Sequence, residues 1–414
     1  MKTDQTVDFD IVIAGGGMVG AALACALTGK GLSIAVLDAR AFSADAIAAR
    51  QLQPGFDLRV SAIAPLSRDL FIKLGIWDAM TAIRVSPYQR MQVWDGDGTG
   101  AIDFHAEDVQ QTELGFIIEN SVILAALYER LLALPDVTVI APAQVERLTC
   151  LPGLNDPFAA RAIVHSTDGQ SWRCALLVAA DGPDSRVRQL AGFRTREWDY
   201  KHHALVTTVC TDLPHQGTAL QRFMTDGPLA FLPLQGPPGE AGNYCSIVWS
   251  TVPARVQELL AMQDTEFASA LAAAIEHRLG DIQWVGTRGS FPLRQRHAVD
   301  YAKDNIVLAG DAAHTIHPLA GQGVNLGLQD VGALAREIDR QVQRGRPVND
   351  PAMLGRYQRQ RSGHNLMMML MMEGFQHFFA QQSLPLRWIR NAGLSGVDRL
   401  PLIKNQLIRQ AAGY

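Results

Sequence analysis

Cysteine is scarce in this 414-residue chain: Cys25, Cys150, Cys174, Cys210 and Cys245, with no C-x-x-C pair among them. Their wide, irregular spacing excludes a disulfide framework, a zinc ribbon and a dithiol redox centre, and fits a reducing compartment. Net charge is small, since 37 Lys and Arg against 41 Asp and Glu leave −4. With no general basic field to attract phosphates, nucleic-acid binding is not expected. Charged residues are 19% and apolar residues 48%, the balance of an ordered globular chain. Long apolar runs are also missing. The stretch from Ile11 to Gly29 has 19 residues without a charge, enough in principle to cross a bilayer. Gly15, Gly16 and Gly17 interrupt it after four apolar residues, so a strand, turn and helix explain it better. No transmembrane segment is expected. Lys2, Asp4 and Asp8 precede Phe9 and no basic region leads into an apolar one, so a secretory signal is not expected and the chain reads as cytoplasmic.

What is present begins with the first forty residues. Ile11-Val12-Ile13-Ala14 has the β-branched pattern of a strand buried on both faces. Gly15-x-Gly17-x-x-Gly20 follows, then a small-residue helix pattern to Gly29, then a second strand, Ser33 to Leu37, ending in Asp38. Glycines alone often mark turns. Here the strand, the helix and the acid 18 positions past Gly20 stand where a dinucleotide fold needs them. The glycines let the backbone approach a pyrophosphate, whose charge the helix N-terminus stabilises. Asp38 can accept from ribose hydroxyls. No compact second nucleotide half follows, and the next informative segments lie at 177–188 and 305–327. That scattering suits a long flavin dinucleotide held at remote points.

Leu176 to Ala180 reads as a buried strand closed by Asp181-Gly182-Pro183-Asp184-Ser185-Arg186-Val187-Arg188. Asn305 to Ala309 is another, closed by Gly310-Asp311-Ala312-Ala313-His314. Val324, Leu328, Val331, Ala335 and Ile338 then recur at helical spacing, which puts Gly321 to Gly323 at a helix N-terminus. Such an end, with glycines exposing N–H groups, could stabilise an anionic reduced flavin. A tightly packed strand-to-helix turn would use the same glycines.

Together AGGGMVG, DGPDSRVR and LAGDAAHTIHPLAGQGVNLGLQD resemble the group A flavoprotein aromatic hydroxylases, in order and over nearly the whole chain. LRVSAI (58–63), IIENSVI (117–123), YKHHALV (200–206) and NQLIRQA (405–411) look most like the ubiquinone-biosynthesis hydroxylases, nearest to the 2-octaprenylphenol hydroxylase branch that acts at ring position C5. The resemblance implies an α/β, Rossmann-like FAD-binding domain of the 4-hydroxybenzoate hydroxylase type. It implies non-covalent FAD, NAD(P)H as reductant, O2 as co-substrate and a C4a-hydroperoxyflavin that hydroxylates a polyprenylated phenol. Other ubiquinone-biosynthesis proteins are implied as partners.

Position by position, the resemblance puts Gly15, Gly17 and Gly20 on the FAD pyrophosphate and Asp38, where relatives carry Glu, on the adenosine ribose. Arg59 would face the cofactor and Asn120 would contact it. Gly310 and Asp311 would hold the ribityl chain. Pro318 and the backbone of Gly321, Gly323, Val324 and Asn325 would face the flavin's pyrimidine edge. Asp181 would serve FAD and the approach of NAD(P)H together. His314 and His317 are candidate acid–base groups, though turn histidines also cap or orient backbone. His-x-x-His here has no third ligand near in sequence, so no metal site is expected.

Segments 86–111 and 199–287 have a different texture, with alternating strands at Ala204 to Val209, Leu229 to Leu234 and Tyr244 to Thr251, and one helix pattern from Thr265 to Arg278. They predict a mostly antiparallel substrate sheet inserted into an FAD domain made of 1–85, 112–198 and 288–350. Pockets form at such interfaces. His203, Phe231, Pro233 and Trp249 are candidate liners, with core packing as the ordinary alternative. Residues 351–414 predict a helical C-terminal region. Eight Lys and Arg against Glu373 and Asp398 give these 64 residues +6, which leaves −10 for the first 350. Leu366 to Met372 with Phe375, Phe378 and Phe379 make a soft apolar run that could pack inside or meet a membrane surface. Oligomeric state, prenyl length and the choice of NADH or NADPH are not legible. A flavin halogenase is disfavoured, because no W-x-W-x-I-P occurs. A sister hydroxylase for another ring position, a prenyl-lipid reductase and a non-catalytic scaffold remain as alternatives.

Overall fold

A computed structural model describes residues 6–41, 55–96, 98–153, 157–237, 242–315, 323–380 and 404–406. Its first sheet is parallel at the centre. The strand Val7–Ala14 lies between Ser171–Ala179 and Ile34–Leu37, with Ile306–Leu308 and Val137–Ile140 continuing the sheet on either side. A parallel sheet must be covered on both faces, and Ile11, Val12 and Ile13 are fully buried. The helix Met18–Leu27 covers one face and packs against the helices Asn120–Leu132 and Gly323–Gln343. Its Ala21, Ala22 and Ala24 are buried, and their small side chains let these elements approach closely. In Gly323–Gln343 the residues Leu328, Val331 and Ile338 are buried, as their helical spacing requires.

The second sheet has nine strands among the described residues and holds Thr195–Thr211, Tyr244–Thr251 and Gly227–Leu234 at its centre. Pairing is antiparallel except where Thr218–Met224 runs parallel to Arg90–Asp95. Its two faces follow the period of two. Leu205, Leu229, Phe231, Ile247 and Trp249 pack under the helices Pro253–Ala261 and Asp264–Ala274. Ala204, Val206, Ala230, Leu232 and Val248 line the opposite face, toward Leu58, Arg59 and Val60.

Strand pairing runs across the expected segment boundaries. Thr195–Thr211 is one continuous strand across 198/199, laddered to Gly289–Ala298, and His314–Thr315 joins the same sheet. Backbone pairing therefore carries this sheet into 195–198, 289–298 and 314–315. Ser86–Tyr88 instead joins Gly115–Glu119 and Val60–Ile63 in a three-stranded sheet between the two larger ones. The C-terminal region contributes the helix Pro351–Ala380, and Lys404 returns to pair with Asp108 at 3.0 Å. No helix among the described residues is long and apolar enough to cross a membrane.

Candidate functional site

The glycine loop is built by close approach. Gly15 has φ +101° and a Cβ there would stand 2.3 Å from the Ala180 carbonyl oxygen. A Cβ on Gly20 would stand 1.8 Å from the Gly15 carbonyl oxygen. These two glycines hold the loop against the sheet. Gly17 is different: its Cβ would meet nothing within 4 Å, yet it caps the helix Met18–Leu27 with no side-chain partner for the free N–H groups. Open space over an uncapped helix N-terminus suits an anionic ligand. Asp38 is buried at the end of its strand and accepts from the Gly16 and Arg40 N–H groups, both at 2.8 Å. Each carboxylate oxygen keeps a second lone pair, so Asp38 can stiffen the loop and still accept from a ribose.

The remote segments converge on the same side of the first sheet. Asp181 accepts from the Ser185 hydroxyl and from the Arg186 and Val187 N–H groups at 2.7 and 3.1 Å, so its carboxylate caps the short helix Arg186–Leu190. Arg188, buried, donates to the carbonyls of Ala312 (2.9 Å) and Pro183 (2.7 Å) and ties the two cofactor-side segments together. Gly310, at φ +60°, lies where a Cβ would strike Val19 at 2.8 Å. Asp311 beside it is half-buried, and no hydrogen-bond donor to its carboxylate is found among the described residues. Burial pushes its pKa up, with the charges of His314 and Arg59 opposing that only in part. A carboxylate so placed fits donors from outside the chain, such as ribityl hydroxyls.

Asn120 accepts from Ser61 at 2.7 Å. The Asn325 side chain donates to Ala62 O (2.7 Å) and accepts from Ala64 N (3.0 Å), so it pins the strand Val60–Ile63. Gly323 and Val324 open the long helix. His317, Pro318 and Gly321 lie outside the described residues.

His314 is part of a buried polar network that sequence reasoning missed. Its Nε2 lies 2.6 Å from Asp330, whose other oxygen receives Arg361 Nε at 2.6 Å, and both side chains of the His–Asp pair are fully buried. Burial pushes Asp330 up, but the His314 and Arg361 charges and hydrogen bonds outweigh it and hold the carboxyl below its usual range. Asn365 donates to Tyr301 Oη at 3.1 Å, and Tyr301 Oη lies 3.3 Å from His297 Nε2. The only sequence signals were an acid two turns inside a glycine-rich helix start and an arginine in the C-terminal helix, and neither points to the other.

Burial, with His314 and Arg196 adding to it, pushes His297 from 6.5 down to about 4. Between those values the unfolded chain holds one more proton than the folded one. The stability from this group is complete above 6.5 and lost as pH falls toward 4, with a slope of about 1.4 kcal/mol per pH unit. Unfolding free energies measured at pH 5 and 6 should therefore differ less in His297→Gln than in the parent; an unchanged slope would remove this role.

Among the described residues, two cavities beside the second sheet share Leu58. One is mostly apolar, lined by Val206, Ala230, Leu232 and Val248 together with Arg59 and Phe291. The Arg59 guanidinium sits 5.4 Å from the centre of the Phe291 ring. The other is polar and holds Asp57, Thr208 and the Arg84–Glu119 ion pair (3.3 Å). Phe231, Pro233 and Trp249 do not line the apolar chamber. They occupy odd positions, which alternation turns into the core under the helices, while their even-numbered neighbours form the wall. His203 pairs with Thr251 on that same helix side, and His202 shares the parity of Ala204.

A sequence profile described as FAD binding domain matches residues 8–369. The chain belongs to this family. It is 37% identical over 408 residues to the 3-demethoxyubiquinol 3-hydroxylase of Escherichia coli K12, covering 98% of each chain. It is 35% identical over 404 residues to the ubiquinone hydroxylase UbiL of Rhodospirillum rubrum, covering 98% of this chain and 89% of that one. The crystal structure of p-nitrophenol 4-monooxygenase PnpA from Pseudomonas putida DLL-E4 superposes with a TM-score of 0.75 at 18% identity over 98% of each chain, a likeness of fold. An FAD-binding family fits the glycine loop, the uncapped helix end and the Asp311 carboxylate described above.

Proposed function

We propose that this chain is an FAD-dependent monooxygenase that hydroxylates the ring of a polyprenylated phenol in ubiquinone biosynthesis. The apolar chamber between Arg59 and the even face of the second sheet carries this reading. FAD, once bound and reduced by NAD(P)H, supplies O2 activation and the transfer of one oxygen atom to the ring. The chain does the rest. Gly15 to Gly20 and the helix behind them would hold the pyrophosphate, Asp38 the adenosine ribose and Asp311 the ribityl chain. The N–H groups at the start of Gly323–Gln343 would favour negative charge on the flavin's polar edge. Val206, Ala230, Leu232 and Val248 orient an apolar ring and exclude water. A phenol is already electron-rich, so no strong base is required. His314 is buried against Asp330 and orients backbone.

Product analysis with short-chain prenylphenols, NADPH and O2 tests the function. Hydroxylated product in step with oxygen uptake is expected, and NADPH oxidation without oxygen uptake would favour a reductase instead. The same analysis assigns the ring: motif resemblance points to C5, whereas the name of the Escherichia coli relative places its hydroxylation at position 3. Val248→Trp should fill the chamber and lower kcat/KM at least about 100-fold with FAD still bound. Trp249→Phe, on the opposite face, should leave turnover within about threefold, since the indole nitrogen it removes has no partner among the described residues.

The C-terminal region is proposed to meet the membrane that holds the substrate. Leu366 and Met367 are 41% and 57% exposed beside exposed Arg359. Side chains of Met368 and of 370–380, including Phe375, Phe378 and Phe379, lie outside the described residues. Leu366→Ser with Met367→Ser should reduce co-flotation with anionic vesicles while leaving turnover on soluble substrate unchanged.

A further inference from the structure

The C-terminal helix Pro351–Ala380 sends one stripe of polar side chains into the body. Tyr357, Arg361 and Asn365 stand four residues apart and so share a face. Tyr357 donates to Leu308 O at 2.9 Å, in the strand that leads to Gly310. Arg361 donates through Nε to Asp330 at 2.6 Å and through Nη2 to Leu326 O at 3.2 Å and Asn365 Oδ1 at 2.9 Å.

Asp330 is the hub. Its Oδ2 receives the Gly310 N–H at 3.0 Å and His314 Nε2 at 2.6 Å, so one oxygen grips the chain on both sides of Asp311. Its Oδ1 is held by Arg361 at 2.6 Å, with Asn365 Nδ2 farther off at 3.5 Å. A carboxylate turns about one bond, so loosening Oδ1 loosens the aim of Oδ2 as well. His314 Nδ1 is buried with no partner among the described residues, so beside the stacked Tyr301 ring at 6.0 Å, Asp330 is its hydrogen-bonding anchor among them. Arg188 and the pairing of His314–Thr315 hold the far end of this segment, and a Cβ on Gly310 would strike Val19 at 2.8 Å, so Asp330 is the side chain that fixes the Gly310 end and the His314 ring together.

We infer that Arg361 and Asp330 are positioning residues for the ribityl-binding segment, so that the C-terminal helix is a working part of the FAD site. The inference rests on the assignment of Asp311 to the ribityl chain. It predicts a selective defect. ADP reaches only the glycine loop and Asp38, whereas FAD also needs the Gly310–His314 segment.

The test uses the full-length chain stripped of FAD, titrated separately with FAD and with ADP. Arg361→Met should raise the FAD Kd at least tenfold and leave the ADP Kd within twofold, which also certifies that the protein is folded. Arg361→Lys keeps one charged donor and should recover part of the FAD affinity. Asp330→Asn, of equal size, should reproduce the selective loss by offering a donor where one oxygen accepted. If FAD and ADP affinities fall together, or neither falls while Asp311→Ala weakens FAD, the positioning role is overturned. If Asp311→Ala itself leaves FAD affinity unchanged, the ribityl assignment fails and takes the inference with it.

Discussion

Gly17→Val should give a folded, colourless protein. The position has φ −65° and ψ −175°, extended backbone that valine adopts readily, and a Cβ there meets nothing within 4 Å. Nothing among the described residues opposes the substitution, so the apoprotein should melt within a few degrees of the parent. The new side chain instead projects into the space over the helix N-terminus, where the pyrophosphate needs direct approach to backbone N–H groups. FAD affinity should fall by more than about 100-fold, roughly 2.7 kcal/mol, and a fluorescence titration reads it. Gly20→Val separates the two kinds of glycine. Its Cβ would stand 1.8 Å from a backbone oxygen and 3.2 Å from Ile13, so that variant should fail to accumulate as soluble protein. A fully yellow Gly17→Val would remove the pyrophosphate assignment.

The contrast shows what was legible. The strand, glycine loop, helix and Asp38 are local in sequence, and each obeys a rule of spacing that survives folding. The same holds for the strands around Leu176, Leu229 and Ile306. The sequence alone leaves open whether Phe231 and Trp249 face the chamber or the core, because alternation is certain along a strand but its phase is not. Both pack under the two helices, and Val206, Ala230, Leu232 and Val248 line the chamber. The network around Asp330 was out of reach for another reason. Arg361 is 31 residues from Asp330 and Tyr301 is 64 from Asn365, and no periodicity links them. The charge count of the tail does not say which of its cations face solvent. Arg361, one of the eight cations counted there, is a buried partner of Asp330, so part of that charge belongs to the body.

Asp330→Ala should be the most destabilising change in the buried network. A buried ion pair contributes little net stability when intact, because desolvation of both charges offsets their attraction; breaking it by removing one partner costs about 3–5 kcal/mol. Here the loss is wider than one pair. Arg361, with its side chain 5% exposed, would keep its charge and its bonds to Leu326 O and Asn365 but lose its counter-ion. The Gly310 N–H and His314 Nε2 would lose their acceptor in a place water does not reach. Removing Arg361 as well should restore part of the stability, since an uncharged void is less costly than an orphaned guanidinium. Asp330→Ala with Arg361→Met should therefore be more stable than the sum of the two single losses by about 2 kcal/mol or more, within the range of coupled contacting residues. Denaturant unfolding of the four proteins closes this cycle. An Asp330→Ala loss below about 1 kcal/mol would mean that the carboxylate is not the hub of the network.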